Sequence, residues 1–149
     1  MPSRSMQKRA VIVVGSHYAG KSKTINCYFK KLVGIPEEKR KFDIKGSEGQ
    51  ALSQSNEEKR GLIISQSPEE KRIKELEAAI ERYLGYQYLV LASRPDGESP
   101  SYYKEIKAIL EKADYIVTTV EVFDHGDDES YYENKGKEVF AGLSRTSAA

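Results

Sequence analysis

The sequence predicts a single-domain α/β fold in three layers, a mainly parallel sheet flanked by helices. Three observations carry this expectation. Short apolar runs recur along the chain: AVIVV (10–14), GLIIS (61–65), YLVLA (88–92) and YIVTTVEVF (115–123). The stretches between them repeat apolar residues at helical spacing, and alternation of the two patterns points to parallel strands buried on both faces. The 149 residues are enough for one core.

In chain order, residues 1–9 form a basic arm, 10–123 the α/β body, and 124–149 an acidic loop, a short helix and a frayed tail. AVIVV is the first strand. The next segment carries Ile25, Tyr28, Phe29, Leu32 and Val33 at helical spacing, and Gly34 stops it. Residues 41–54, with Gly46 and Gly49, suggest a strand, a turn and a second short strand. GLIIS follows. The helix after it opens on Ser67 as N-cap, Pro68 at the first position and Glu70 closing a capping box. Its buried stripe is Ile73, Leu76, Ile80 and Leu84, ended by Gly85. YLVLA leads to a helix opened by Ser99-Pro100, with Tyr103, Ile106, Ile109, Leu110 and Ala113 on one face. YIVTTVEVF is the last strand, and residues 130–141 the last helix.

SQS-(N/P)-EEKR occurs at 53–60 and again at 65–72, which raises the question of an internal repeat. Repeat architectures need at least three stacked units. Both copies follow a short apolar segment, and a third EEKR follows Pro36. The likeness is therefore shared local chemistry, serines that cap backbone donors at a strand end.

Charged residues make up 32% of the chain and hydrophobic residues 38%, a globular composition. Cys27 is the single cysteine, so no internal disulfide forms, which suits a reducing cytosol. No apolar run is long enough for a signal core or a membrane span, and a cytoplasmic protein without a membrane partner is the expectation. Net charge is +1, unevenly spread: residues 1–41 hold ten Lys/Arg and two Asp/Glu, the rest fourteen and twenty-one. A basic first third attracts anions. No basic stripe with interleaved aromatics marks a nucleic-acid surface.

The chemistry concentrates in AVIVVGSHYAGKSKT. Gly15, Gly20, Lys21 and Ser22 have the spacing G-x-x-x-x-G-K-S between a buried strand and an amphipathic helix, the context this motif requires. Glycines let the backbone turn tightly and approach a ligand. Successive N–H groups of Gly15, Ser16, His17, Tyr18, Ala19, Gly20, Lys21, Ser22 and Lys23 then converge on an anion at a helix start. Lys21 adds a full charge toward β and γ phosphates, and the Ser22 hydroxyl suits Mg²⁺. Residues 10–34 resemble the Walker A segment of P-loop NTPases. The resemblance implies an α/β P-loop fold that binds Mg²⁺ with ATP, or GTP, and small kinase-like members are the nearest in character.

In open α/β sheets ligands bind beyond the carboxyl ends of strands. Those ends present Ser65-Gln66-Ser67, Ser93-Arg94-Pro95-Asp96 and Asp124-His125. P-loop enzymes carry an acid after a strand beside the phosphate loop; GLIIS, the expected strand, ends instead in Ser-Gln. Gln66 is then a candidate to orient a water, Arg94 a candidate to pair with the transferring phosphate, and Asp124, Asp43 or Glu48 a candidate for the missing acid. DHGDDE reads as a solvated acidic loop. The expected function is a Mg-NTP-dependent phosphotransferase or NTPase acting on an unidentified acceptor or water. A GTPase-like switch, with SRPD reading guanine through Asp96, and a non-catalytic P-loop binding module are the alternatives.

Overall fold

Seven residues from Lys8 to Val14 form strand β1, and its apolar run is buried throughout because other strands lie on both sides and helices on both faces. The computed structural model describes residues 8–15, 20–42, 61–64, 73–95 and 102–144. Within them the elements after β1 are helix α1, a π-helical stretch Lys23–Phe29 continued by an α-helical turn Lys30–Val33; β2 (Lys41–Phe42); β3 (Gly61–Ile64); α2 (Ile73–Tyr83); β4 (Tyr88–Ser93); α3 (Tyr103–Lys112); β5 (Tyr115–Glu121); and α4 (Glu129–Ser144). The chain is α/β, with five strands and four helices among the described residues.

The sheet order is β2-β3-β4-β1-β5. All neighbours are parallel except β2 and β3. Val11 lies opposite Val90 of β4 on one side and Thr118 of β5 on the other. Side chains alternate across the sheet. Val11 and Val13 join Ile25, Phe29 and Val33 of α1 and Tyr132, Val139 and Leu143 of α4. Ala10, Ile12 and Val14 join Ile80 of α2 and Ile106 and Leu110 of α3. The three layers are thus α1 and α4, the sheet, then α2 and α3.

Two details depart from the sequence expectation. GLIIS was expected beside β1, yet β3 is separated from it by β4. Leu32 was expected on the buried face of α1 and is 45% exposed. The cause is the π-helical stretch, whose wider turn has Lys30 N–H donating to Ile25 O, five residues back. Ile25, Phe29 and Val33, each four apart, then line the core while Leu32 rotates outward. Gly34 ends α1 as expected, in the left-handed region at φ 79°, its N–H donating to Lys30 O and Lys31 O.

The last helix runs from Glu129 to Ser144, longer than the expected 130–141. Both repeat copies, the helix opening at Ser67-Pro68-Glu70, residues 43–54 and the termini lie outside the described residues. No helix among the described residues is long and apolar enough to cross a membrane.

Candidate functional site

The connections of β1 and β4 leave the sheet in opposite directions. The helix after β1 packs on one face, and the helix after β4 packs on the other. Neighbouring strands whose connections diverge open a crevice at their carboxyl ends, the place where open α/β sheets bind ligands. Lys21 reaches the ends of both strands. Its Nζ donates to Gly15 O at 2.6 Å, at the end of β1, and to Ser93 O at 3.3 Å, the end of β4. Gly15 N–H donates to Ser93 O as well, at 3.1 Å, so the two strand ends are tied together beneath the ammonium group.

Gly20 is fixed by two constraints. Its φ of 104° is a conformation that L side chains rarely adopt. A Cβ there would also stand 2.4 Å from Cε1 of Tyr132. Helical bonding begins at once, Thr24 N–H donating to Gly20 O at 2.9 Å. Ser22 is exposed at the start of this helix and makes no capping hydrogen bond through its hydroxyl. Among the other motif residues, Ser16, His17, Tyr18 and Ala19 lie outside the described residues.

Lys23 faces α4. Its Nζ pairs with Glu129 at 2.8 Å and lies 5.0 Å from the centre of the Tyr132 ring. Glu129 also accepts from the Tyr28 hydroxyl. The Lys23 hydrogen bond, followed by that of Tyr28, holds the Glu129 carboxyl below its usual value, and the same bonds raise Lys23 and push Tyr28 up to about 12. This small network fastens α4 to the first turns of α1.

The candidates distribute unequally around the crevice. Arg94 directly follows the carbonyl that Lys21 touches and is half-buried, with its own carbonyl accepting from Ser93 Oγ at 2.9 Å. Gln66 lies outside the described residues, as do Asp43, Glu48 and Asp96. Its strand β3 has no edge on β1; the strands that border β1 are β4 and β5. Asp124 follows β5. It is exposed, and its Oδ1 accepts from Gly126 N–H at 2.9 Å, closing a tight turn in which Gly126 has φ 57°. His125 stacks on Tyr131 with ring centres 3.5 Å apart. Among the described residues no three His, Cys, Asp or Glu side chains group as a metal site.

Sequence reasoning missed Tyr132 and Glu129 as partners of the glycine-rich segment. The Tyr131-Tyr132 pair is visible in the sequence, but nothing local joins it to Gly20. Comparison with known protein families, curated proteins and solved structures finds no match to this chain.

Proposed function

We propose that the chain binds a magnesium nucleoside triphosphate at the carboxyl ends of β1 and β4, as a P-loop protein, and acts as a small phosphotransferase or NTPase. The observation that carries this reading is the placement of Lys21. An ammonium group resting on two strand-end carbonyls at the point where the connections diverge stands where an anionic ligand gains most. The left-handed Gly20 and the helix that starts beside it supply backbone donors for the same anion.

A triphosphate would draw the Lys21 ammonium from neutral carbonyls to charged oxygens, a stronger bond. Ser22, exposed and without a capping bond, would hold a Mg²⁺ arriving with the nucleotide. Such a Mg²⁺ would supply positive charge to offset that of the phosphate oxygens. Arg94, beside Ser93, would stabilise the group in transfer.

One observation favours a second reading, binding without turnover. β4, one of the two strands beside β1, ends in Ser93-Arg94 with no acid among its described residues. Phosphate release and transfer, assayed over a panel of nucleotides and acceptors, separate the two. Turnover that Lys21→Ala reduces by about a hundredfold or more supports the enzyme reading. Turnover unchanged by that substitution refutes it. Tight Mg-NTP binding without any turnover selects the binding module.

A further inference from the structure

Phe123 is 61% exposed, the most exposed large apolar side chain among the described residues. Its position is not arbitrary. Val122 N–H donates to Val14 O at 2.8 Å, so Phe123 begins immediately beside the end of β1. Phe123 N–H then donates to the Tyr131 hydroxyl at 2.8 Å, and His125 N–H to the Tyr132 hydroxyl at 2.7 Å. The ring of Tyr132 lies against Gly20. The 122–125 segment is therefore hydrogen-bonded to the last residue of β1 and to Tyr132, whose ring packs against Gly20. Tyr131 covers one face of the His125 imidazole, nearly parallel at 6°, yet the histidine side chain stays 43% exposed. Two exposed aromatic side chains, Phe123 and His125, thus stand on the segment that leaves the sheet beside the end of β1.

The charges beside it are acidic. Asp124, Asp127, Asp128 and Glu129 are all exposed. Phosphate is repelled there and belongs on the Lys21 side. A neutral planar ring with amino donors is suited to it, since the rings offer stacking and the carboxylates offer acceptors.

Resting on the phosphate-site reading above, we infer that Phe123 and the His125–Tyr131 stack are the platform for the nucleobase of that same ligand, and that the base carries an exocyclic amino group. Phosphates then lie over Gly20–Ser22 and the base over 123–128, with the acidic loop excluding the reverse orientation. The loop before α4 thereby sets base choice, and not the Ser93–Asp96 stretch.

The test is calorimetric titration of the full chain, with Mg²⁺, against ATP, GTP, CTP, UTP and inorganic tripolyphosphate. The amino-bearing nucleotides are expected to bind more tightly than UTP and tripolyphosphate. Phe123→Ala weakens the former by about tenfold or more and leaves tripolyphosphate unchanged, while Phe123→Tyr restores nucleotide affinity. Phe123 is exposed, so circular dichroism of each variant should match the parent. Tripolyphosphate binding as tightly as every nucleotide, or ATP affinity untouched by Phe123→Ala, overturns the platform and leaves the phosphate site standing. UTP equal to ATP overturns the amino-group preference. No heat with tripolyphosphate or any nucleotide overturns the platform and the phosphate site together.

Discussion

Gly20 concentrates the demands of the site on one residue. Its backbone lies in the left-handed region, and its missing side chain is the space that Tyr132 fills. Gly20→Ala meets both obstacles, so a destabilisation of about 1–3 kcal/mol is expected, read as a lower urea midpoint. Gly34 provides the control. It also has positive φ, at 79°, but a Cβ there meets nothing within 4 Å, so Gly34→Ala isolates the backbone cost alone. An equal loss at the two positions would show that Tyr132 does not press on the segment. Glu129 makes a prediction in pH. Its carboxyl is held below the ordinary 4.5, first by Lys23 and then by Tyr28, so the unfolded chain binds its proton more readily than the folded one. Stability from this contact is therefore present above pH 4.5 and lost as pH falls through the lowered folded value. Wild type should exceed Glu129→Gln in urea midpoint near neutrality, with the gap closing in acid. A gap that widens in acid would contradict the assigned ion pair. Because both partners are exposed, salt should shrink the effect.

The helices α1 and α4 show where element-level reading succeeds and where it stops. Spacing of Ile25, Phe29 and Val33 marked the buried face of α1 correctly, since that pattern is local. Leu32 was misplaced because spacing assumes an α-helical turn, and no residue announces the π-helical stretch. α4 contains Gly136 and Gly142, a residue type that weakens a helix. The structure gives them a packing role. A Cβ on Gly136 would come within 2.8 Å of Tyr28 Cβ and 3.2 Å of Phe29 N, and one on Gly142 within 2.8 Å of Val11 Cγ2. The glycines let α4 approach α1 and the sheet closely, which is why the helix continues through both. Propensity alone says that Gly136→Ala should stabilise a helix by about 1 kcal/mol. Packing says the reverse, because a backbone nitrogen and a Cβ are not free to move aside. A net loss of about 1–2 kcal/mol is expected by thermal or urea unfolding. A net gain would mean that the two helices separate at little cost.

At the scale of the molecule, the sheet order decides which strand ends meet beside the glycine-rich motif. The strand and the helix that flank residues 15–22 were legible because each depends on neighbours in sequence. Which strand lies beside β1 was not. GLIIS and YLVLA are both short buried runs, and pairing across the sheet leaves no local mark on either. The outcome matters chemically: β4, not β3, borders β1, so Ser93 and Arg94 stand at the crevice while Gln66 follows a strand one place removed. The same limit hid Tyr132, whose contact with Gly20 exists only once α4 has folded back over α1. The central claim is that backbone donors between β1 and α1, joined by the Lys21 ammonium, hold a polyphosphate. Calorimetric titration with a Mg²⁺ nucleoside triphosphate tests it most directly, on wild type and on Lys21→Ala with the fold of each verified by circular dichroism. Saturable heat at one site, weakened about a hundredfold or more by the substitution, is the predicted result. Silence at millimolar nucleotide, or equal affinity in the two proteins, would contradict it.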